Sequence, residues 1–220
     1  MSQIKLYALP YSNNAMRAQL CLDEKGLAYE YIQVDLFKGA HKQPEFLAIN
    51  PRGQVPTLVD GDITVYESVA IVQYLERRYP NPPLIPSDPR QMASCVRLIG
   101  EFNQKLDPTN IFGSVKFGGK RRADIEDRVG KLLAECRIWE SYLGKGPYFV
   151  GEMYTLADVV VLPFFAVAID GLCLPVRDFP NLHVWYERCK SRPSVAKQPW
   201  FAAFAADKTN VDQHLLAQPG

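Results

Sequence analysis

"NPRGQVPTLVDG", Asn50 to Gly61, is the stretch on which the reading of the first half of the chain turns. Pro56 stands at the mouth of a strand that begins at Thr57, and it removes one backbone donor there. A proline so placed marks a rigid turn, sometimes closed by a cis peptide bond, which only ~5–6% of X–Pro bonds in folded proteins adopt. The plain reading is a loop that ends in a strand. The sharper reading is a backbone ledge, held still so that something extended can pair with Val55. Just beyond, "VPTLVDGDITVYES" reads as two strands around Asp60-Gly61, an Asp-Gly hairpin turn. "ESVAIVQYLERRYP" then reads as a helix stopped by Pro80.

Toward the N-terminus, "IKLYAL" is a short β-rich run, and the "YSNN" that follows supplies helix-capping residues. "AMRAQLCLDEKG" spaces Met16, Leu20 and Leu22 for a helix and stops at Gly26. "YEYIQVDL" sets Tyr29, Tyr31 and Gln33 against Glu30, Ile32 and Val34, the alternation of a strand. "PEFLAIN" is a short helix. The order β-α-β-α-β-β-α over residues 1–80 predicts an α/β domain.

Toward the C-terminus, "NPPLIPSDP" (Asn81 to Pro89) follows directly on Pro80 and reads as a stiff proline-rich linker, 81–89. No strand pattern appears beyond it. "IEDRVGKLLAECRIW" puts Ile125, Val129, Leu132, Cys136 and Trp139 on one helical stripe. "TLADVVVLPFF" and "LHVWYERCKSRP" continue as helices. In "YTLADV", Thr155 and Asp158 form a capping box with Tyr154 and Val159 as its hydrophobic staple, a structural role and not a catalytic one. Residues 90–206 are therefore expected to be all-helical, and 207–220 to form a loosely ordered tail.

Composition excludes several functions. A net charge of +1 gives no electrostatic reason to expect nucleic acid or a membrane surface as partner. The basic run Lys120-Arg121-Arg122 is answered at once by Asp124, Glu126 and Asp127 and reads as a solvated helix start. The cysteines Cys21, Cys95, Cys136, Cys173 and Cys189 are scattered and form no CxxC pair, so neither a metal site nor a dithiol centre is expected. The most apolar stretch, Val159 to Ile169, is too short to span a bilayer, and "MSQIKLYALP" shows no signal peptide. A reduced, cytoplasmic setting fits this pattern.

Four short segments carry the polar chemistry: Ser12 at a strand-to-helix turn, His41-Lys42, Gln54-Val55-Pro56, and Glu67-Ser68 at a helix start. A thioredoxin-like βαβ-α-ββα module brings all four to one edge. Taken singly, Ser12 and Glu67-Ser68 read as helix caps and His41 as a solvated surface residue. Taken jointly, with "KLY…S….R", "HK.PEFL..NP.GQVP.L.DGD…ES.AI..YL", "TLAD" and "P.L..W.ER…RPS", the chain resembles a cytosolic glutathione transferase over nearly its whole length, closest to the serine-type phi and theta classes. Two places depart from the family pattern: "SNN" after the Ser12 turn, and the segment Gln104 to Gly119.

The resemblance implies a thioredoxin-like α/β domain followed by an all-α domain, and a homodimer related by a two-fold axis. It implies glutathione as co-substrate, with no metal and no resident cofactor. The γ-glutamyl carboxylate would meet Ser68 and the helix N-terminus, Glu67 would take the γ-glutamyl amine, and Lys42 would meet the glycyl carboxylate beside His41 and Gln54. A cis Pro56 would turn Val55 toward the cysteinyl backbone. Ser12 would donate a hydrogen bond to the thiolate, and Tyr7 is its rival, although strand alternation suggests that Tyr7 is packed. No cysteine replaces Ser12, which argues against thiol exchange. Arg17 either raises the local potential or forms a structural ion pair. The electrophile, an apolar small molecule, is expected between the domains, near Tyr11, Phe37, Ile111, Phe112 and Phe117. The resulting activity is conjugation of glutathione to apolar electrophiles, with peroxidase activity as an addition. The alternative is a non-catalytic carrier on the same fold.

Overall fold

The computed structural model describes residues 3–144, 146–207, 211–212 and 215–216. They fall into two compact units, Met1–Ile85 and Pro86–Gly220.

The first unit is a four-stranded sheet with helices. Its strands are β1 (Ile4–Ala8), β2 (Tyr29–Gln33), β3 (Thr57–Asp60) and β4 (Ile63–Tyr66), in the spatial order β2-β1-β3-β4. The pair β1/β2 is parallel, with Leu6 beside Tyr31, while β1/β3 and β3/β4 are antiparallel. A parallel pair needs a crossover, and α1 (Asn13–Glu24) supplies it. Two more helices follow, the single turn α2 (Pro44–Leu47) and the longer α3 (Ser68–Arg78). Ile4, Leu6 and Ala8 alternate inward along β1 and are buried. Met16, Leu20 and Leu22 of α1 and Val69, Val72 and Leu75 of α3 fill the same core. Gly26, at φ +63°, follows the Lys25 cap and terminates α1.

The hairpin turn lies one residue later than expected. Asp60 is the last residue of β3 and pairs with Ile63, so Gly61 and Asp62 form the loop, with Gly61 at φ +64°. Asp60 is held back in the strand because its Oδ2 accepts from the hydroxyls of Tyr74 in α3 and of Tyr79 just after it, at 2.8 and 2.7 Å.

The segment after α3 is anchored to the first unit. Buried Lys25 pairs with Glu76 and donates to the Pro82 carbonyl at 2.7 Å. Glu76 Oε1 also accepts from the Leu84 and Ile85 amides at 3.0 and 3.1 Å. Residues 82–85 are thus tied down on their way to the second unit.

The second unit is built on α4 (Pro89–Glu101), α5 (Phe112–Lys116), α6 (Glu126–Tyr142), α7 (Leu156–Ala166), α8 (Pro180–Lys190), α9 (Pro193–Ala196) and α10 (Trp200–Ala206). It is not purely helical: isolated bridges pair Tyr148 with Gly151 and Val150 with Met153. The stripe Ile125, Val129, Leu132, Cys136 and Trp139 is buried, as is every residue of α7. The capping box is present. Asp158 accepts from the Thr155 amide (2.8 Å) and hydroxyl (2.9 Å), the Phe149 amide (3.2 Å) and Trp185 Nε1 (2.9 Å). This one carboxylate therefore ties the start of α7 to α8 and to the preceding loop. Burial pushes its pKa up, and the four donors oppose that shift.

Most of the tail expected over 207–220 lies outside the described residues. The described part is docked: Asp207 pairs with Lys116 at 2.6 Å, Arg122 donates to the Leu215 carbonyl at 3.2 Å, and Leu215 and Leu216 are buried.

Candidate active site

The ledge read from the sequence has a specific scaffold. The Val55–Pro56 bond is cis. Asn50, fully buried, donates through Nδ2 to the Gln54 carbonyl (2.8 Å) and to Thr57 Oγ1 (2.9 Å), and its Oδ1 accepts from the Arg52 amide (3.0 Å). Thr57 Oγ1 in turn donates to the Gln54 carbonyl at 3.1 Å. The side chains of Asn50 and Thr57 therefore hold the turn from both ends. Among the described residues, neither the N–H nor the C=O of Val55 makes a hydrogen bond. A half-buried backbone pair held open in this way suits an extended partner strand.

Gly53 explains how the His41-Lys42 segment reaches the ledge. Its φ is +60°, and a Cβ there would lie 2.9 Å from the His41 carbonyl oxygen. Only a glycine lets the short turn Ala40–Lys42 rest on this loop. His41 is half-buried with its Nδ1 unbonded, while Lys42 and Gln54 are exposed.

Register gathers the other segments. Tyr7 of β1 and Tyr66 of β4 both flank Thr57 of β3. The chain leaving β1 toward Ser12, the chain entering β3 from Val55, and the chain leaving β4 toward Glu67-Ser68 therefore share one end of the sheet. Ser12 caps α1: its Oγ accepts weakly from the Ala15 amide at 3.5 Å, which leaves the hydroxyl proton to be donated elsewhere. Neither α1 nor α3 carries an acidic residue in its first turn, and the Glu67 N-cap of α3 makes no side-chain cap bond, so its carboxylate does not occupy the α3 N–H groups.

Two backbone features were not foreseen. Tyr11, just before Ser12, has φ +67°, and Glu67, just before Ser68, has φ +69°. Both hydroxyls thus follow a non-glycine residue in the left-handed region, a conformation that concentrates at functional sites. Arg17 is buried, and its Nη1 donates to Ser68 Oγ at 3.1 Å and to Asn14 Oδ1.

Tyr7 is less packed than strand alternation suggested. It is half-buried, edge-on to Phe46 with ring centres 6.1 Å apart, and it lines a cleft of about 520 Å³ with Lys5, Ile49, Val59 and Thr64. Tyr11 and Phe37 are exposed in the first unit. In the second unit Ile111 is core, Phe117 is exposed, and Phe112 packs edge-on against Phe117 and Phe204 at 6.0 and 5.7 Å.

Comparison with known proteins gives a consistent picture. The family model described as "Glutathione S-transferase, N-terminal domain" matches residues 6–83. The model described as "Glutathione S-transferase, C-terminal domain" matches residues 92–193. Glutathione S-transferase 3 of Zea mays is 35% identical over 209 residues, covering 90% of this chain and 93% of that protein. The crystal structure of glutathione transferase F7 from Populus trichocarpa superposes with a TM-score of 0.81 at 32% identity, covering 92% of this chain and 99% of that one. A glutathione transferase homologue from Sulfitobacter, crystallised with bound glutathione, superposes with a TM-score of 0.76 at 25% identity, covering 89% of this chain and 96% of that one.

Proposed function

The chain belongs to the glutathione S-transferase family, and from that premise we propose that Ser12 stabilises the thiolate of a glutathione held on the Val55 ledge. The observation that carries the proposal is the unpaired Val55 backbone at the sheet end where the Ser12 turn and the Ser68 helix start also lie. The cysteinyl backbone pairs with Val55 as a short added strand. The γ-glutamyl carboxylate takes Ser68 and the open N-terminus of α3, and Glu67 takes the amine. Lys42, with His41 and Gln54 beside it, takes the glycyl carboxylate. The central thiol then lies by Ser12.

The energetics are sufficient. A free cysteine thiol has a pKa of about 8.5. Lowering it by about 2 units requires ~2.7 kcal/mol of preference for the anion. A hydrogen bond to a charged group supplies ~1.5–3 kcal/mol, and the N-terminus of α1 adds ~0.3–1 kcal/mol. Ser12 acts as a donor only, neither base nor nucleophile. The thiolate carbon–sulfur bond forms at an electrophilic carbon and the leaving group departs with its electron pair, or the thiolate adds across an activated double bond. Halogenated aromatics and isothiocyanates are acceptors of this kind. With an organic hydroperoxide the thiolate attacks the terminal oxygen, the O–O bond breaks and the alcohol leaves; a second glutathione converts the sulfenic acid to the disulfide with release of water. A substrate panel ranks the three. In the first unit Tyr11 and Phe37 expose aromatic surface that suits an apolar acceptor; in the second unit Phe117 is exposed and packs edge-on against Phe112. The proposal includes a homodimer, a cytoplasmic setting and no resident cofactor. A monomer mass by light scattering at micromolar concentration overturns the dimer.

The test is Ser12→Ala. The pKa of bound glutathione, followed by thiolate absorbance, rises toward the free value. The turnover number falls roughly 30- to 150-fold, the kinetic equivalent of ~2–3 kcal/mol, with little change in glutathione affinity. Tyr7→Phe does much less. Loss of activity in Tyr7→Phe with Ser12→Ala intact refutes the serine assignment. A wild type that binds glutathione and conjugates nothing is a carrier.

A further inference from the structure

We propose that Arg17 is a positioning residue that fixes the Ser68 hydroxyl as a donor to the γ-glutamyl carboxylate of glutathione. The inference rests on the ligand placement proposed above and concerns a residue that touches no part of the ligand in it.

Arg17 lies on the inner face of α1 with only 1% of its surface exposed. Its Nη1 donates to Ser68 Oγ at 3.1 Å, across a sequence separation of 51 residues, and to Asn14 Oδ1 on its own helix. Ser68 is the first residue of α3 and is itself only 9% exposed. A guanidinium has donors and no acceptor, and it keeps its charge when buried. One lone pair of Ser68 Oγ is therefore filled by an N–H, and the Ser68 hydroxyl cannot turn its proton back to Arg17. That proton is left for an acceptor at the mouth of α3. A serine without this neighbour rotates freely and presents a lone pair as readily as a proton, which a carboxylate repels.

Two further effects act in the same direction. A charged donor on the oxygen polarises the O–H bond and strengthens its outward hydrogen bond. The buried positive charge also adds to the partial positive charge of the α3 N-terminus, in a site where water does little screening. Asn14 holds the same nitrogen in place, and it lies two residues after the Ser12 cap. Lysine reproduces only part of this arrangement, because its compact ammonium is strongly hydrated and sits on a flexible stem.

The test uses two ligands and the full-length protein. One ligand is glutathione; the other is its analogue with the γ-glutamyl α-carboxylate replaced by hydrogen, 4-aminobutyryl-cysteinylglycine. Dissociation constants are measured by calorimetry for wild type, Arg17→Met, Arg17→Lys, Ser68→Ala and the Arg17→Met/Ser68→Ala double variant. The wild type prefers glutathione over the analogue. Arg17→Met weakens glutathione about ten- to a hundredfold and leaves the analogue within about twofold, so the preference collapses. The double variant is no weaker than Ser68→Ala alone, and Arg17→Lys restores part of the preference. If Arg17→Met weakens both ligands equally, or if its effect adds in full to that of Ser68→Ala, Arg17 merely supports α1 and the proposal is overturned. If Arg17→Met does not fold, Arg17→Lys decides: an undiminished wild-type preference overturns it. A wild type that binds both ligands equally refutes the placement of the carboxylate at Ser68, and the Arg17 proposal falls with it.

Discussion

Replacing Gly53 by alanine tests how the ledge is built. The new methyl group would stand 2.9 Å from the His41 carbonyl oxygen and 3.3 Å from Leu47 Cδ2, on a backbone at φ +60°. Holding an alanine in the left-handed region costs about 1–2 kcal/mol. The clash is with a backbone oxygen, so relief requires the Ala40–Lys42 turn to shift, and such overpacking costs typically ~1–3 kcal/mol. The stiffer unfolded chain returns about 0.4–1 kcal/mol. The net expectation is a loss of about 2–4 kcal/mol, read as a lower urea midpoint with an unchanged slope. Gly26→Ala is the control, because Gly26 shares the positive φ (+63°) and has nothing within 4 Å of its would-be Cβ. It loses only the conformational part, about 1–2 kcal/mol before the same return from the unfolded chain, so about 1 kcal/mol net. Because the displaced turn carries His41 and Lys42, Gly53→Ala also weakens glutathione binding several-fold while leaving γ-glutamylcysteine, which lacks the glycyl carboxylate, nearly unaffected. Equal stabilities of the two alanine variants, with glutathione affinity unchanged, would refute the reasoning.

The other expectations concern stability. Glu76→Ala strands the fully buried Lys25 ammonium and removes the acceptor of the Leu84 and Ile85 amides. It should destabilise the protein by ~3–5 kcal/mol and open the 80–89 segment to limited proteolysis; an unchanged cleavage pattern contradicts the clamp. Burial pushes the Cys136 thiol up to about 12 and raises Cys21 as well. Both pKa values are higher folded than unfolded, so this contribution to stability is complete below the unfolded thiol's pKa of about 8.5. It is lost as pH rises, at about 1.4 kcal/mol per pH unit per thiol. Cys136→Ala, though it leaves a small cavity, should flatten the fall measured between pH 8 and 10.5. Cys173 is the one cysteine that is not buried, so a thiol reagent at pH 8 should modify one group in the native protein and five on unfolding.

Local pattern carried the elements of the first unit far into the fold. Strand alternation and the Met16, Leu20, Leu22 spacing found β1 and α1, and Gly26 ended the helix where its φ requires. In the second unit "YTLADV" was sufficient to find the capping box. What escaped reading depends on partners distant in sequence. The hairpin loop fell one residue away because Tyr74 and Tyr79 hold Asp60 in the strand. The run from Pro82 to Ile85 reads locally as a linker, and nothing in it reveals that Glu76 and Lys25 reach across to hold it. In the site, the local pattern around Pro56 pointed to Val55, while the resemblance selected Ser12, Glu67 and Ser68, which singly read as caps, and His41, which singly reads as surface, together with Lys42 and Gln54. Asn50 and Thr57 were inside the quoted motif and went unread, because nothing in sequence tells that an asparagine amide is buried and turned back onto its own loop. Arg17 was noticed for its charge, but its partner Ser68 is one that only the packing of α1 against α3 supplies.

The left-handed residues Tyr11 and Glu67 bear on how this protein can be engineered. Each holds a conformation that costs a non-glycine residue of order 1–3 kcal/mol, and each immediately precedes a hydroxyl of the proposed site. A screen for higher melting temperature will favour glycine at these two positions, since it relaxes the backbone. The same changes loosen the turns that aim Ser12 and Ser68. Selection for heat resistance alone will therefore drift toward robust, poorly active variants, and a stabilisation campaign should hold positions 11 and 67 fixed and seek its gains in the second unit.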